Sequence, residues 1–226
     1  MNEVVFLVDV DNTLLDNDLI QADIKHHLDE VYGVACRERY WAILEDLFVT
    51  LGYRDYLGAL QRYRVEHSRD MQLLSMSSFL VDYPFADTLY KHSLDVLARL
   101  RGWGRTVLLT DGDVVFQPRK VERSGLAHAV DSQVLIYIHK EQALDDVEAR
   151  YPSRHYVLID DKPKILGAVK KAWGDRVTTV LPRQGQYALD TKMLASFDPP
   201  DVTVERIGDL LDMDLPSLLQ ERRRRT

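Results

Sequence analysis

The sequence predicts an α/β protein: a doubly wound, mostly parallel sheet of the Rossmann-like kind, carrying a small all-helical cap. Three observations carry this expectation. Short apolar runs at residues 4–8, 106–109, 134–138, 156–159 and 177–181 alternate with stretches of helical periodicity, the pattern of parallel strands covered on both faces. Residues 16–84 repeat apolar positions at helical spacing without a strand candidate. Three runs end in polar groups, Asp9/Asp11, Thr110/Asp111/Gly112 and Asp160/Asp161, and ligands of open α/β sheets bind at the carboxyl ends of strands.

The first run, Val4-Val5-Phe6-Leu7-Val8, stops at Asp9, with Asp11 two residues on. Alternate positions of an extended chain share a side, so both carboxylates would point into one small volume. Like charges that close are costly without a cation or a proton, which implies a metal, an acid/base role or both. The alternative for Asp11-Asn12-Thr13 is an Asx turn or helix N-cap ahead of Leu14-Leu15. Leu19, Ile20, Ile24, Leu28 and Val31 then form one helical stripe, and Tyr40, Trp41, Leu44, Leu47 and Phe48 a second. Tyr56, Leu57, Leu60 and Tyr63 make a third and Met71, Leu74 and Met76 a weaker fourth, punctuated by Gly33, Gly52 and Pro84. The division expected is a core of residues 1–15 and 85–226, with a helical cap of residues 16–84 inserted after the first strand. Beyond the cap, helices are expected over 87–100, 118–124 (stopped by Gly125), 141–150, 163–173 and 207–211, with a last strand at 202–204.

Composition narrows the function. A net charge of -7 argues against a nucleic-acid binder. No apolar stretch reaches transmembrane length, and the run before Asp9 is too short for a signal peptide. Cys36 is the single cysteine, which excludes an intrachain disulfide and a cysteine-rich zinc site; a cytoplasmic protein, monomer or homodimer, is expected. The arginines 222–225 read as a solvated chain end.

In a parallel sheet the three polar strand ends lie along one edge, joined there by Lys140 after the run 134–138. Carboxylates, a hydroxyl, backbone N–H groups and an ammonium suit metal-assisted phosphoryl transfer through an aspartyl-phosphate.

Asp9-Val10-Asp11-Asn12-Thr13, Thr110-Asp111-Gly112, Lys140 and Asp160-Asp161, in this order, resemble the four motifs of the haloacid dehalogenase superfamily. The resemblance covers roughly residues 1–15 and 85–226, and the helical insertion is similar to that family's cap at its first position. It implies that Asp9 is the nucleophile and Asp11 the general acid/base. Thr110 and the backbone N–H of Asp111 or Gly112 would hold the phosphoryl oxygens, and Lys140 would offset the charge around Asp9. It also implies Mg²⁺ held by Asp9, the Asp11 main-chain carbonyl, Asp161 and, directly or through water, Asp160, acting on a small phosphorylated metabolite. Members that break carbon–halogen bonds lack an aspartate at the position of Asp11, so its presence favours a phosphatase. A phosphomutase and a non-catalytic phospho-aspartate switch are the alternatives. The sequence departs from the pattern at Glu141, where the family often has proline, and in the acidic Thr110-Asp111-Gly112-Asp113. Lys120 competes with Lys140 for the third motif but falls on an expected helix, where lysines are usually solvated. Lys162 and Lys164 are expected as surface charges and the segment 182–186 as a turn, while Arg37, Arg39, Tyr53, Arg54 and Tyr56 fall in the cap, where substrate would be selected, with ordinary surface and core roles expected for most of them.

Overall fold

Val4, Phe6 and Val8 join one apolar cluster, and Val5 and Leu7 the other. An unbroken apolar run is what a strand buried on both faces requires. This strand is central in the computed structural model, which describes residues 2–69 and 73–220. The strands are β1 (Asn2–Val8), β2 (Arg105–Asp111), β3 (Val134–Tyr137), β4 (Ser153–Ile159), β5 (Val177–Pro182) and β6 (Val202–Val204). They form one sheet ordered β3-β2-β1-β4-β5-β6, parallel at every pairing. The order reverses at β1, so the loops leaving β1 and its neighbours open a crevice at their carboxyl ends.

Between β1 and β2 come α1 (Asn17–Tyr32), α2 (Val34–Leu51), α3 (Tyr56–Glu66) and α4 (Leu73–Asp82), then α5 (Ser93–Trp103). The chain leaves the sheet and returns side by side: Asp16 N–H donates to Thr88 O at 2.8 Å and Tyr90 N–H to Leu14 O at 3.0 Å. After β2 follow α6 (Phe116–Arg123), α7 (Leu126–Ala129), α8 (Leu144–Arg150), α9 (Pro163–Trp173), α10 (Gly185–Leu189), α11 (Thr191–Ala195) and α12 (Leu215–Gln220).

Several expected elements differ in detail. The stripe of α1 is Ile20, Ile24 and Leu28, joined by Gln21, whereas Leu19 and Val31 are exposed; Leu19 lies about one residue's rotation off the packed face, and Val31 lies in the last turn of the helix. Residues 85–88 form a 3₁₀ turn, and the helix expected from 87 begins at Ser93. Residues 207–211 are likewise a 3₁₀ turn. The strand expected at 134–138 ends at Tyr137, with Ile138 exposed, and Lys140 opens a 3₁₀ turn ahead of α8. Met71 and the arginines 222–225 lie outside the described residues.

Candidate active site

Directly after β1 the Val10 carbonyl accepts the N–H groups of Thr13, Leu14 and Leu15 at 3.3, 2.9 and 3.1 Å. The chain therefore curls, and a turn rather than strand alternation positions Asp11. Asn12 makes the curl possible. It sits at φ 59°, which asparagine tolerates through local side-chain bonding, and its Oδ1 accepts the N–H groups of Asn17 (2.9 Å) and Asp18 (3.2 Å). The turn reading thus holds for Asn12, while Asp9 and Asp11 take other partners. The segment 182–186 does more than turn. Gln184 Nε2 donates to Thr13 O at 3.2 Å, and Gln186 N–H donates to Asp18 Oδ2 at 2.8 Å. Gly185, at φ 67°, lies so close to Asn12 that a Cβ would run into its side chain.

Asp9, Asp160 and Asp161 are buried, and one oxygen from each falls within 4.8 Å of the others. Lys140, fully buried, bridges two of them, with Nζ 2.5 Å from Asp9 Oδ1 and 2.6 Å from Asp160 Oδ2. It also donates to Leu109 O at 3.2 Å. Burial opposes the Lys140 charge, but the Asp160 and Asp9 carboxylates outweigh it and hold its pKa well above the usual lysine value. Thr13 ties the loops together: its hydroxyl donates to Asp9 Oδ2 at 3.3 Å and accepts Asp161 N–H at 3.1 Å. Asp160 Oδ1 accepts Lys162 N–H at 2.8 Å. Both Asp161 oxygens, by contrast, are buried with no hydrogen-bond partner. A buried acceptor without a donor costs about 1–3 kcal/mol, and more when charged. Burial accordingly pushes the Asp160 carboxyl up to about 6, despite Lys140, and Asp161 well above the ordinary range. A cation among these oxygens removes the penalty, and an all-carboxylate donor set fits a hard divalent ion.

Asp11 is held separately. Lys120 Nζ donates to Asp11 Oδ1 at 2.7 Å and to Asn17 Oδ1 at 3.0 Å. Lys120 is 1% exposed, so the expectation of a solvated helical lysine fails. Its helix turns it inward, and an acidic partner 109 residues away offsets its desolvation. On β2, Thr110 Oγ1 accepts from Gln117 Nε2 at 2.9 Å. Asp111 Oδ1 accepts Lys140 N–H at 2.7 Å and so fixes the turn that carries the ammonium. Burial raises the Asp111 pKa, opposed by Lys140 and Lys162. Gly112 departs from its expected part: its N–H donates to Tyr137 O at 2.9 Å. What the glycine provides is room, because a Cβ there would strike the Gln117 side chain. Asp113 accepts the N–H groups of Val115 and Phe116 at 2.7 and 2.6 Å, an Asx cap at the start of α6.

A cleft of about 90 Å³ opens onto this edge. Asp11, Asp111, Lys120 and Lys162 border it from the sheet side, and Phe48, Tyr53, Arg54 and Tyr56 from α2, α3 and their connection. Lys162 is therefore a cleft residue and not the surface charge expected.

The family of haloacid dehalogenase-like hydrolases matches residues 4–181. This chain belongs to that family. As a haloacid dehalogenase-like hydrolase it is an enzyme. It is 58% identical, with a TM-score of 0.92, to a protein of Burkholderia xenovorans LB400 named as a haloacid dehalogenase-like hydrolase, over 97% of this chain and 99% of that one. Its fold is shared with the HAD-hydrolase YfnB of Bacillus subtilis, solved bound to magnesium, at 15% identity and TM-score 0.62 over 97% and 99% of the two chains. It is also shared with L-2-haloacid dehalogenase of Xanthobacter autotrophicus, solved with chloropropionic acid covalently bound, at 16% identity and TM-score 0.61 over the same shares. No curated protein matches. Among the described residues, no helix of this hydrolase is long and apolar enough to cross a membrane.

Gln117, Gln184, the partner of Lys120 and the cleft-facing Lys162 of this family member carry no expectation of a site role from the sequence, and Arg54 carries only a place in the cap. Lys120 alone had a legible signal, as the competitor for the third motif. Arg37 and Arg39 pair with Asp29 and Glu66 away from the cleft.

Proposed function

We propose that this hydrolase is a Mg²⁺-dependent phosphatase that cleaves a small phosphomonoester through a phospho-aspartate on Asp9. The observation that carries the reading is the trio Asp9, Asp160 and Asp161, with both Asp161 oxygens unpartnered, beside a further carboxylate, Asp11, on its own lysine. Asp9, Asp161 and the Asp11 carbonyl would hold the ion, with Asp160, already engaged by Lys140, set behind them. When bound, the ion neutralises the carboxylates and orients the phosphoryl oxygens.

The chain's own groups supply the rest. An Asp9 oxygen attacks phosphorus while the ester P–O bond breaks, and Asp11 delivers a proton to the departing oxygen. Water then attacks phosphorus with its proton passing to Asp11, and the Asp9–phosphorus bond breaks to release phosphate. Lys140 holds Asp9 in place through Oδ1. Gln117 occupies a lone pair of Thr110, and the hydroxyl proton, on a long 3.4 Å bond to Asp111 O, would turn to a phosphoryl oxygen. The helices of residues 16–84 serve as a lid that excludes bulk water in the first step.

Phosphate release from a generic aryl phosphate tests the reading. Turnover that needs Mg²⁺ and falls about 10⁴-fold or more in Asp9→Asn is expected. Mg²⁺-independent turnover, or activity retained in Asp9→Asn, would overturn it.

A further inference from the structure

The cations around the cleft divide into two kinds. Lys140 and Lys120 are committed to carboxylates at 2.5–2.7 Å. Arg54, although paired with Glu45, and Lys162 keep donors unspent. Arg54 gives one N–H of Nη2 to Glu45 at 3.0 Å, while its Nε is buried with no hydrogen-bond partner. Its side chain is only 22% exposed and packs over the Phe48 ring, 4.9 Å from the centroid. Lys162 has no side-chain hydrogen bond or ion pair among the described residues, and its Nζ stands 5.8 Å from the Tyr187 ring centroid. Arg54, Lys162 and Tyr187 line the same cleft.

We propose that Arg54 and Lys162 form a second anion subsite, which takes the carboxylate of a short phosphorylated acid whose phosphoryl group lies at Asp9. A buried guanidinium N–H without an acceptor costs stability that an arriving anion would recover. A planar carboxylate is the group whose geometry a guanidinium fork matches best. A second phosphate fits less well, because the cleft is small, about 90 Å³, and Asp111 and Asp113 also border it. A neutral leaving group without an acceptor would leave the Arg54 Nε unpaired. The inference rests on the phosphatase reading for the placement of the phosphoryl group.

The test compares 2-phosphoglycolate with its uncharged carboxamide, using the full chain with Mg²⁺. The acid is expected to have a kcat/KM about 10-fold or more above the amide, the scale of a charge-assisted hydrogen bond. The acid-to-amide ratio should fall toward one in Arg54→Met, recover partly in Arg54→Lys, and fall by a smaller factor in Lys162→Met. Because the ratio is read within each variant, a loss of folded protein cancels. Calorimetric binding of the two compounds to Asp9→Asn protein supplies the same ratio without turnover. If the aryl phosphate is not hydrolysed, the phosphatase reading fails, and this binding ratio still decides the subsite. Equal affinity for acid and amide, or a preference for the acid unchanged in Arg54→Met, would overturn the proposal.

Discussion

The sheet edge and the cap side of the cleft treat their cations in opposite ways. At the edge, Lys140 is closed between Asp9 and Asp160, and Lys120 between Asp11 and Asn17. Thr13, Gln117 and Gln184 secure the loops around them. On the cap side Arg54 keeps a buried Nε without an acceptor. A satisfied network is rigid, which suits groups that must hold a reacting atom in place. Donors left open cost stability until a ligand meets them. On the reading proposed above, the constant chemistry lies on strand ends and the choice of substrate on the connection between two helices, where sequence can change without disturbing the sheet.

Breaking the closed network should have the largest effect. Lys140→Met leaves Asp9 and Asp160 buried without their cation, and removing one partner of a buried pair costs about 3–5 kcal/mol. Denaturant melts should register that loss, with partial recovery in Mg²⁺; a midpoint unchanged from the parent would count against a closed site.

A smaller effect follows from pH. Burial holds the folded Asp160 carboxyl up to about 6 against an ordinary 3.8, so between these values the folded chain binds more protons than the unfolded one. Stability of the metal-free protein therefore falls as pH rises through that interval, by up to about 3 kcal/mol. Mg²⁺ opposes the loss, and its stabilising effect should grow with pH over the same interval. Melting temperatures in chelator and in Mg²⁺ across pH 4–7 read both signs; a gap that narrows with rising pH would refute this.

Lys120→Met should then lower kcat by about 10–100-fold through misplacement of Asp11, with KM little changed and phosphoenzyme accumulating in rapid-quench experiments. A rise in KM with kcat intact would instead make Lys120 a substrate contact. Last comes Arg37→Ala, whose ion pair with Asp29 is remote from the cleft. Steady-state kinetics should not distinguish it from the parent, and a change in kcat/KM would show that the cap acts as more than a local surface.

Much of the closed region was legible because its signals are local. An apolar run that stops at a carboxylate marks a buried strand end, and three such ends, with Lys140 after a fourth run, share an edge once the sheet is parallel. The cap side was illegible for an equally physical reason. Arg54 and Lys162 gain their meaning only from neighbours that tertiary packing brings to them, and a lone arginine or lysine in sequence reads as solvated. Lys120 failed in the same way, since its counter-charge lies 109 residues back. Gly112 differs in another way: it follows β2 directly, and the parallel partner strand claims its N–H. Leu19 shows how little periodicity fixes, because one residue's rotation on a helix exchanges core for solvent.

The most direct measurement is the mass of the Asp9-containing peptide from Asp11→Asn protein, acid-quenched during reaction with an aryl phosphate and Mg²⁺. With no group to activate water, that variant should carry one phosphoryl group on Asp9, absent when Mg²⁺ is chelated. A phosphoryl group on any other residue, or none on Asp9 while substrate is consumed, would contradict the account.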